Sequence, residues 1–203
     1  MLILDNYIYT LGNSLYINLT NRCTNSCVFC VRTKTDNMGG QRLWLESEPT
    51  AEQVIKLIPD PEKYDEIVFC GFGEPTEKLD VLLEICRYLK KFRTPIRINT
   101  NGHASMIAGK DTAPMFKGLV DTISISLNAS NARHYQELCQ CQEGEKGFYE
   151  MLDFARKVKE YVPNVVLSVV DIMDKQEIEE CRNIAQELGV KFRIRELITE
   201  EED

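Results

Sequence analysis

Residues 122–128 read TISISLN, an alternation that puts Ile123, Ile125 and Leu127 on one face of a strand and Ser124, Ser126 and Asn128 on the other. The same two-sidedness recurs along the chain. Asn18 opposes Ile17 and Leu19; Arg97, Asn99 and Asn101 oppose Ile96 and Ile98; Arg193 and Arg195 oppose Phe192 and Ile194. A flat sheet covered by helices on both faces would read as nearly continuous apolar runs. One apolar and one polar face per strand calls for helices outside and a wet, ligand-holding interior.

The connections agree. Strand-like runs at 14–19, 67–70, 96–100, 122–127, 165–170 and 192–197 alternate with helical patterns. Thr50 and Gln53 form a capping box before Val54, Leu57 and Ile58, and Pro59 and Pro61 end that helix. Leu79, Leu82, Leu83, Cys86 and Leu89 mark a second helix, and residues 131–139 a third. Phe148, Met151, Leu152, Ala155 and Val158 mark a fourth, and a fifth runs from a cap at Asp174 and Glu177 to Gly189. Such alternation implies a parallel sheet with right-handed crossovers. A closed eight-stranded barrel takes about 250 residues, more than the 203 present. The expected fold is α/β, an open partial (β/α)6 TIM-like barrel with a polar lumen; a doubly wound sheet is the alternative on element order alone. Gly12-Asn13 predicts an N-terminal hairpin, residues 34–48 with Gly39-Gly40 an excursion over the site, and residues 103–118 a short helix. A single domain over 1–203 is expected, with 1–13 as an N-terminal extension and 199–203 as an acidic tail.

Directly after the first core strand, residues 21–32 read NRCTNSCVFCVR, so Cys23, Cys27 and Cys30 are spaced C-x3-C-x2-C. Thiolates this close on one loop can converge on a metal centre. The count matters, because an all-cysteine zinc site or an electron-transfer cluster uses four ligands. With three, a four-iron cluster keeps one iron open to something that is not protein. A partial zinc knuckle and buried loop cysteines are the competing readings. The next strand runs into GFGEP, where Gly71 and Gly73 allow close backbone approach and Glu74 could take up a cationic amine. Ligands of parallel α/β folds bind at this end of the strands.

A net charge of −8 argues against a nucleic-acid polymer as partner. There is no run of about 18 apolar residues to span a membrane, and MLILDNYIYT lacks the basic start of a signal peptide. Eight cysteines in a chain this long and regularly patterned fit free thiols in a reducing cytoplasm better than a stapled secreted scaffold.

The CxxxCxΦC arrangement, with Phe29 as the aromatic, resembles the radical S-adenosylmethionine (radical SAM) superfamily. GFGEP is similar to that family's GGEP motif, with Phe72 where the second glycine usually stands. The run LYINLTNRCTNSCVFCVR looks most like the small TatD-linked radical SAM proteins. The resemblance implies that Cys23, Cys27 and Cys30 hold a [4Fe-4S] cluster whose open iron takes the methionine amine and carboxylate of S-adenosylmethionine. It also implies that Gly71, Phe72, Gly73 and Glu74 meet the cofactor's amino group. Asn99 and Asn101 would approach the cofactor, Ser124, Ser126 and Asn128 its ribose and carboxylate, and Phe29 and Val170 its adenine.

The implied chemistry is reductive cleavage of the cofactor to a 5′-deoxyadenosyl radical that abstracts hydrogen from an unidentified small-molecule or protein substrate. An external one-electron reductant such as flavodoxin or ferredoxin supplies the electron. The alternatives are an activase that puts a radical on a partner protein, and a non-catalytic iron-sulfur or zinc module. Cys70, Cys86 and Cys181 are expected in the core, and Cys139 and Cys141 near the surface. His103 and His134 are expected to be structural or surface residues. Arg32, Arg97, Arg193 and Arg195 could make the lumen basic, balancing the cofactor carboxylate or an anionic substrate, or could pair with surface acids.

Overall fold

The computed structural model describes residues 5–197; the acidic tail expected at 199–203 lies outside them. The chain opens with an antiparallel hairpin, β1 (Ile8–Leu11) and β2 (Ser14–Ile17), turning at Gly12-Asn13 as expected. After the cysteine loop comes a small hairpin, β3 (Asn37–Met38) and β4 (Gln41–Arg42), in the predicted excursion. Then follow α1 (Ala51–Lys56), β5 (Ile67–Phe69), α2 (Leu79–Leu89), β6 (Ile96–Thr100) and α3 (Ala104–Ala108). The remainder is β7 (Thr122–Ser126), α4 (Ala132–Cys139), α5 (Lys146–Val158), β8 (Asn164–Val170), α6 (Lys175–Leu188) and β9 (Lys191–Arg195).

Local chemistry sets these boundaries. Thr50 accepts from the Gln53 N–H while the Gln53 side chain accepts from the Thr50 N–H, so the capping box forms as read. At α6 the cap is one-sided: Asp174 accepts from the Glu177 N–H, but the Glu177 side chain turns to Ser130 and His134. That pairing occupies His134.

The seven-stranded sheet has the order β1-β2-β5-β6-β7-β8-β9, parallel from β2 onward. Strand order follows chain order without reversal, which excludes the doubly wound alternative, whose sheet must reverse direction partway. One face carries the core: Ile17, Phe69, Ile98, Ile125 and Leu167 are buried with Leu82, Ile85 and Cys86 of α2 and Met151, Phe154 and Ala155 of α5. The other face is the polar lumen. Registers align Asn99 with Ser124, and Ser126 with Ser168 and Arg193, in rows across it.

Three cysteines are not where the sequence pattern put them. Cys86 and Cys181 are core thiols, but Cys70 is half-buried and faces the interior, sharing the parity of Val68 rather than of Ile67 and Phe69. Cys139 and Cys141, expected near the surface, are buried. The reason is a docking contact: the backbone N–H groups of Ser26, Val28 and Gln142 donate to Cys139, Leu138 and Thr24 carbonyls at 3.0, 2.9 and 2.9 Å. This presses the end of α4 onto the cysteine loop.

Candidate cluster and cofactor site

Cys23, Cys27 and Cys30 all line one cavity of about 260 Å³ at the C-terminal ends of the parallel strands. As placed, no three His, Cys, Asp or Glu side chains among the described residues form a group that could hold a metal ion. Cys27 is turned toward Cys139, whose S–H donates to it; this bond holds the Cys27 thiol below its ordinary value and Cys139 above. Burial pushes the Cys23 thiol up to about 12, with the Glu74 charge adding to the effect, and burial also raises Cys30. A cation binding here must therefore displace protons from at least two thiols.

The loop is held by a buried polar network that nothing in the motif announces. His103 Nε2 lies 3.0 Å from the Gly147 carbonyl, so that nitrogen carries the proton. Nδ1 then accepts from the Thr24 hydroxyl at 2.8 Å, and Thr24 Oγ1 accepts from Asn101 Nδ2 at 2.8 Å. Asn25 donates to the Tyr135 hydroxyl at 3.0 Å. Arg32 donates to the carbonyls of Asn21 and Asn25 at 3.0 and 3.3 Å, closing the loop on itself. Thr24 and Asn25 thus sit between two of the cysteines and are clamped from three elements. Sequence reasoning identified Asn101 but missed Thr24 and Asn25 and left His103 without a role; its only signal was an Asn-Gly-His run at a strand end.

The GFGE turn follows β5. A Cβ on Gly71 would meet Asn18 Oδ1 at 2.0 Å, and one on Gly73 would meet the Thr20 and Arg22 carbonyls at 2.3 and 2.5 Å. Close packing of this turn on Asn18 and on the start of the cysteine loop therefore demands both glycines. Phe72 points into a small second core with Tyr9 and Leu43 and meets Trp44 edge-on, with ring centroids 5.3 Å apart. That hydrophobic plug accounts for a large residue where the family has glycine.

Glu74 is 3% exposed, and its carboxylate already accepts four bonds. Oε1 takes the Thr76 N–H, the Thr76 hydroxyl and the Thr100 hydroxyl at 3.0, 2.7 and 2.7 Å; Oε2 takes the Asn101 N–H at 2.7 Å. It ties β5 to β6, and only Oε2 keeps capacity for another donor. Burial raises its carboxyl above the usual range while these bonds oppose the shift.

The other sequence-derived positions divide between two adjoining cavities. Phe29, Phe72, Asn101, Asn128 and Val170 border the cysteine cavity alone. Ser124 borders only an inner cavity of about 530 Å³, deeper in the lumen. Asn99 and Ser126 border both, as do Cys70 and Arg195. Asn128 has φ 54°, a left-handed conformation that asparagine tolerates better than most residues, and its buried Oδ1 has no partner among the described residues. Asn25 also lines the cysteine cavity, and its buried Oδ1 likewise has no partner among the described residues. Two orphaned acceptors beside three thiols fit a group that brings its own N–H and O–H donors. The lumen is basic only in part: Arg97 is bound to Glu66 at 2.6 Å and to Asn99 at 2.8 Å.

The fold is that of solved radical SAM proteins. A radical SAM methyltransferase from Sphaerobacter thermophilus superposes with a TM-score of 0.65 at 17% identity, over 93% of this chain and 57% of that one. Streptococcus suis SuiB bound to S-adenosylmethionine gives 0.63 at 15% identity, over 92% of this chain and 41% of that one. The sequence signature of the Radical SAM superfamily matches residues 17–188, so the chain belongs to that superfamily. Members of the superfamily bind a [4Fe-4S] cluster and S-adenosylmethionine.

Two curated archaeal relatives narrow the comparison. A putative glycyl-radical enzyme activating enzyme of Methanocaldococcus jannaschii is 32% identical over 166 residues, covering 78% of this chain and 62% of that one. A probable GTP 3′,8-cyclase of Methanocella arvoryzae is 31% identical over 132 residues, 64% of this chain and 39% of that one. The chain thus spans less than two thirds of each relative. No described helix is long and apolar enough to cross a membrane.

Proposed function

We propose that this chain is a radical SAM enzyme in which Cys23, Cys27 and Cys30 hold a [4Fe-4S] cluster and S-adenosylmethionine completes it. The observation that carries the reading is the donor set: three thiols on one clamped loop lining a cavity with Asn25 and Asn128, whose amide oxygens have no hydrogen-bond partner among the described residues. When bound, the cluster and cofactor supply reductive cleavage of the sulfonium and removal of a hydrogen atom from substrate. The protein's part is to bind and orient. Gly71 and Gly73 hold the turn against the cysteine loop, and Glu74 fixes the β6 end that presents Asn101. Asn128 and Asn25 offer acceptors, while Phe29 and Val170 border the same space. A single-electron donor of the flavodoxin or ferredoxin type is the required partner, and free thiols fit a cytoplasmic setting.

A second reading is favoured by one specific observation: the relative covering most of this chain is named a putative activating enzyme for glycyl-radical proteins. On that reading the substrate is a partner protein. The TatD-linked resemblance rests on the run at residues 15–32 and names no substrate.

Anaerobic reconstitution tests the proposal. The expected result is about four irons per chain, a spectrum altered by S-adenosylmethionine, and 5′-deoxyadenosine on reduction. One tightly bound zinc with no cofactor cleavage, or iron indifferent to the cofactor, overturns it.

A further inference from the structure

Two arginines on β9 differ from the other cations of the lumen. The chain is acidic, with a net charge of −8, so a buried or lumen-facing guanidinium has carboxylates in excess to pair with. Arg97 has Glu66, and Arg32 is spent on loop carbonyls. Among the described residues Arg193 and Arg195 form no ion pair, although Glu196 borders the same space. Among the described residues the buried Arg195 Nε has no hydrogen-bond partner, and its Nη2 donates to the Ser126 hydroxyl at 3.4 Å. A guanidinium withdrawn from water without a counter-charge is unfavourable, and native folds keep such groups where a ligand supplies the charge.

The surroundings are built for one. Both arginines line the inner cavity of about 530 Å³, within the size range of small-molecule sites. Register puts Ser126, Ser168 and Arg193 in one row, with Arg195 two residues further along the same face. Ser168 gives its proton to the Ile125 carbonyl, whereas Ser126 accepts from Arg195 and keeps its own O–H to donate. Tyr9 and Tyr16, stacked with ring centroids 5.1 Å apart, also line the cavity and offer a flat apolar surface. The inner cavity shares Tyr9, Cys70, Asn99, Ser126 and Arg195 with the cysteine cavity, so a molecule bound there extends toward the cofactor site.

We propose that this inner cavity is the substrate pocket and that Arg193 and Arg195, with the Ser126 hydroxyl, bind an oxyanion of the substrate, a carboxylate or a phosphate. The guanidinium fork matches either group. The proposal rests on the radical SAM reading above and assigns its substrate class: small, anionic, with a flat or apolar body against the tyrosines.

Calorimetric titration of the reconstituted protein, loaded with S-adenosylmethionine, tests it with phenyl phosphate, phenylacetate and neutral benzyl alcohol. One of the two anions is expected to bind saturably and the alcohol not. Arg195→Gln, and Arg193→Gln at the more exposed position, should weaken the anion by about tenfold or more with iron content and cofactor affinity unchanged. Arg133→Gln, on an exposed helix face, should change nothing. The proposal is overturned if neither anion binds, if the double variant binds the anion as well as the parent, or if Arg195→Gln loses cofactor affinity instead. That last outcome assigns Arg195 to the cofactor carboxylate. Should the parent itself take up no cluster or cofactor, the radical SAM reading fails, and titration of the cluster-free chain still decides the pocket.

Discussion

Thr24 Oγ1 and His103 Nδ1, 79 positions apart in sequence, lie 2.8 Å apart in the fold, joining the cysteine loop to the segment after β6. Because His103 Nε2 gives its proton to the Gly147 carbonyl, α5 is tied to the same point. The loop that would hold the cluster is thus braced by groups other than its three cysteines. Geometry at a metal site depends on such supports as much as on the ligands.

Burial drives the His103 pKa down to about 4 from 6.5, so the folded state keeps it neutral. Between those values the unfolded chain binds a proton that the folded chain does not, and protonation favours unfolding. Stability from this group is complete above pH 6.5 and is lost progressively as pH falls through 4, by about 3 kcal/mol at most. Denaturant titrations from pH 7 to 4 should show that slope, and His103→Gln should flatten it. An unchanged slope in the variant refutes the assignment.

Replacing Cys23, Cys27 or Cys30 by alanine should abolish iron uptake on anaerobic reconstitution, each alone being sufficient. Cys139→Ala should retain it, because Cys139 is the thiol toward which Cys27 turns and not a member of the motif. Iron and sulfide assays per chain separate the four variants. Loss of iron in Cys139→Ala would make that residue a ligand.

Glu74→Ala removes the acceptor of four hydrogen bonds in a site with 3% exposure. Leaving those donors unsatisfied should cost about 3 kcal/mol or more, seen as a lower urea midpoint at unchanged slope. Glu74→Gln keeps one oxygen acceptor and should fall between the alanine variant and the parent.

Gly73→Ala would place a methyl 2.3 Å from a backbone carbonyl that no rotamer change can move. The expected cost is about 3 kcal/mol, together with reduced iron uptake because the carbonyls pushed aside belong to Thr20 and Arg22, at the start of the cysteine loop. Gly71→Ala meets a side chain, Asn18, instead; but Asn18 is buried and donates to the Leu43 carbonyl at 2.7 Å, so relief there is limited. Differential scanning calorimetry and iron analysis of both variants check the pair.

Much of this was legible along the chain. The alternation in TISISLN predicted β7 and its polar face, and the 50–53 box predicted the start of α1, because helix and strand periods and caps are local properties. The cysteine spacing and GFGEP marked the candidate site, and both border one cavity. Some local readings misled: Cys70 reads as an apolar strand residue but shares the lumen side of its strand, and Cys139 reads as a polar-helix end but is buried by a loop more than a hundred residues away.

The residue order by itself determined the two-faced strands and the three thiols, since each follows from short-range periodicity and spacing. Only the tertiary structure decided which polar groups are spent and which are free. Among the described residues it bound Arg97 to Glu66 and left Arg195 without an ion pair, and it committed Glu74 to bridging two strands while leaving Asn128 Oδ1 without a partner. Hydrogen-bond and charge partners are settled by which strands and loops meet in space, and that information resides in no local stretch of sequence.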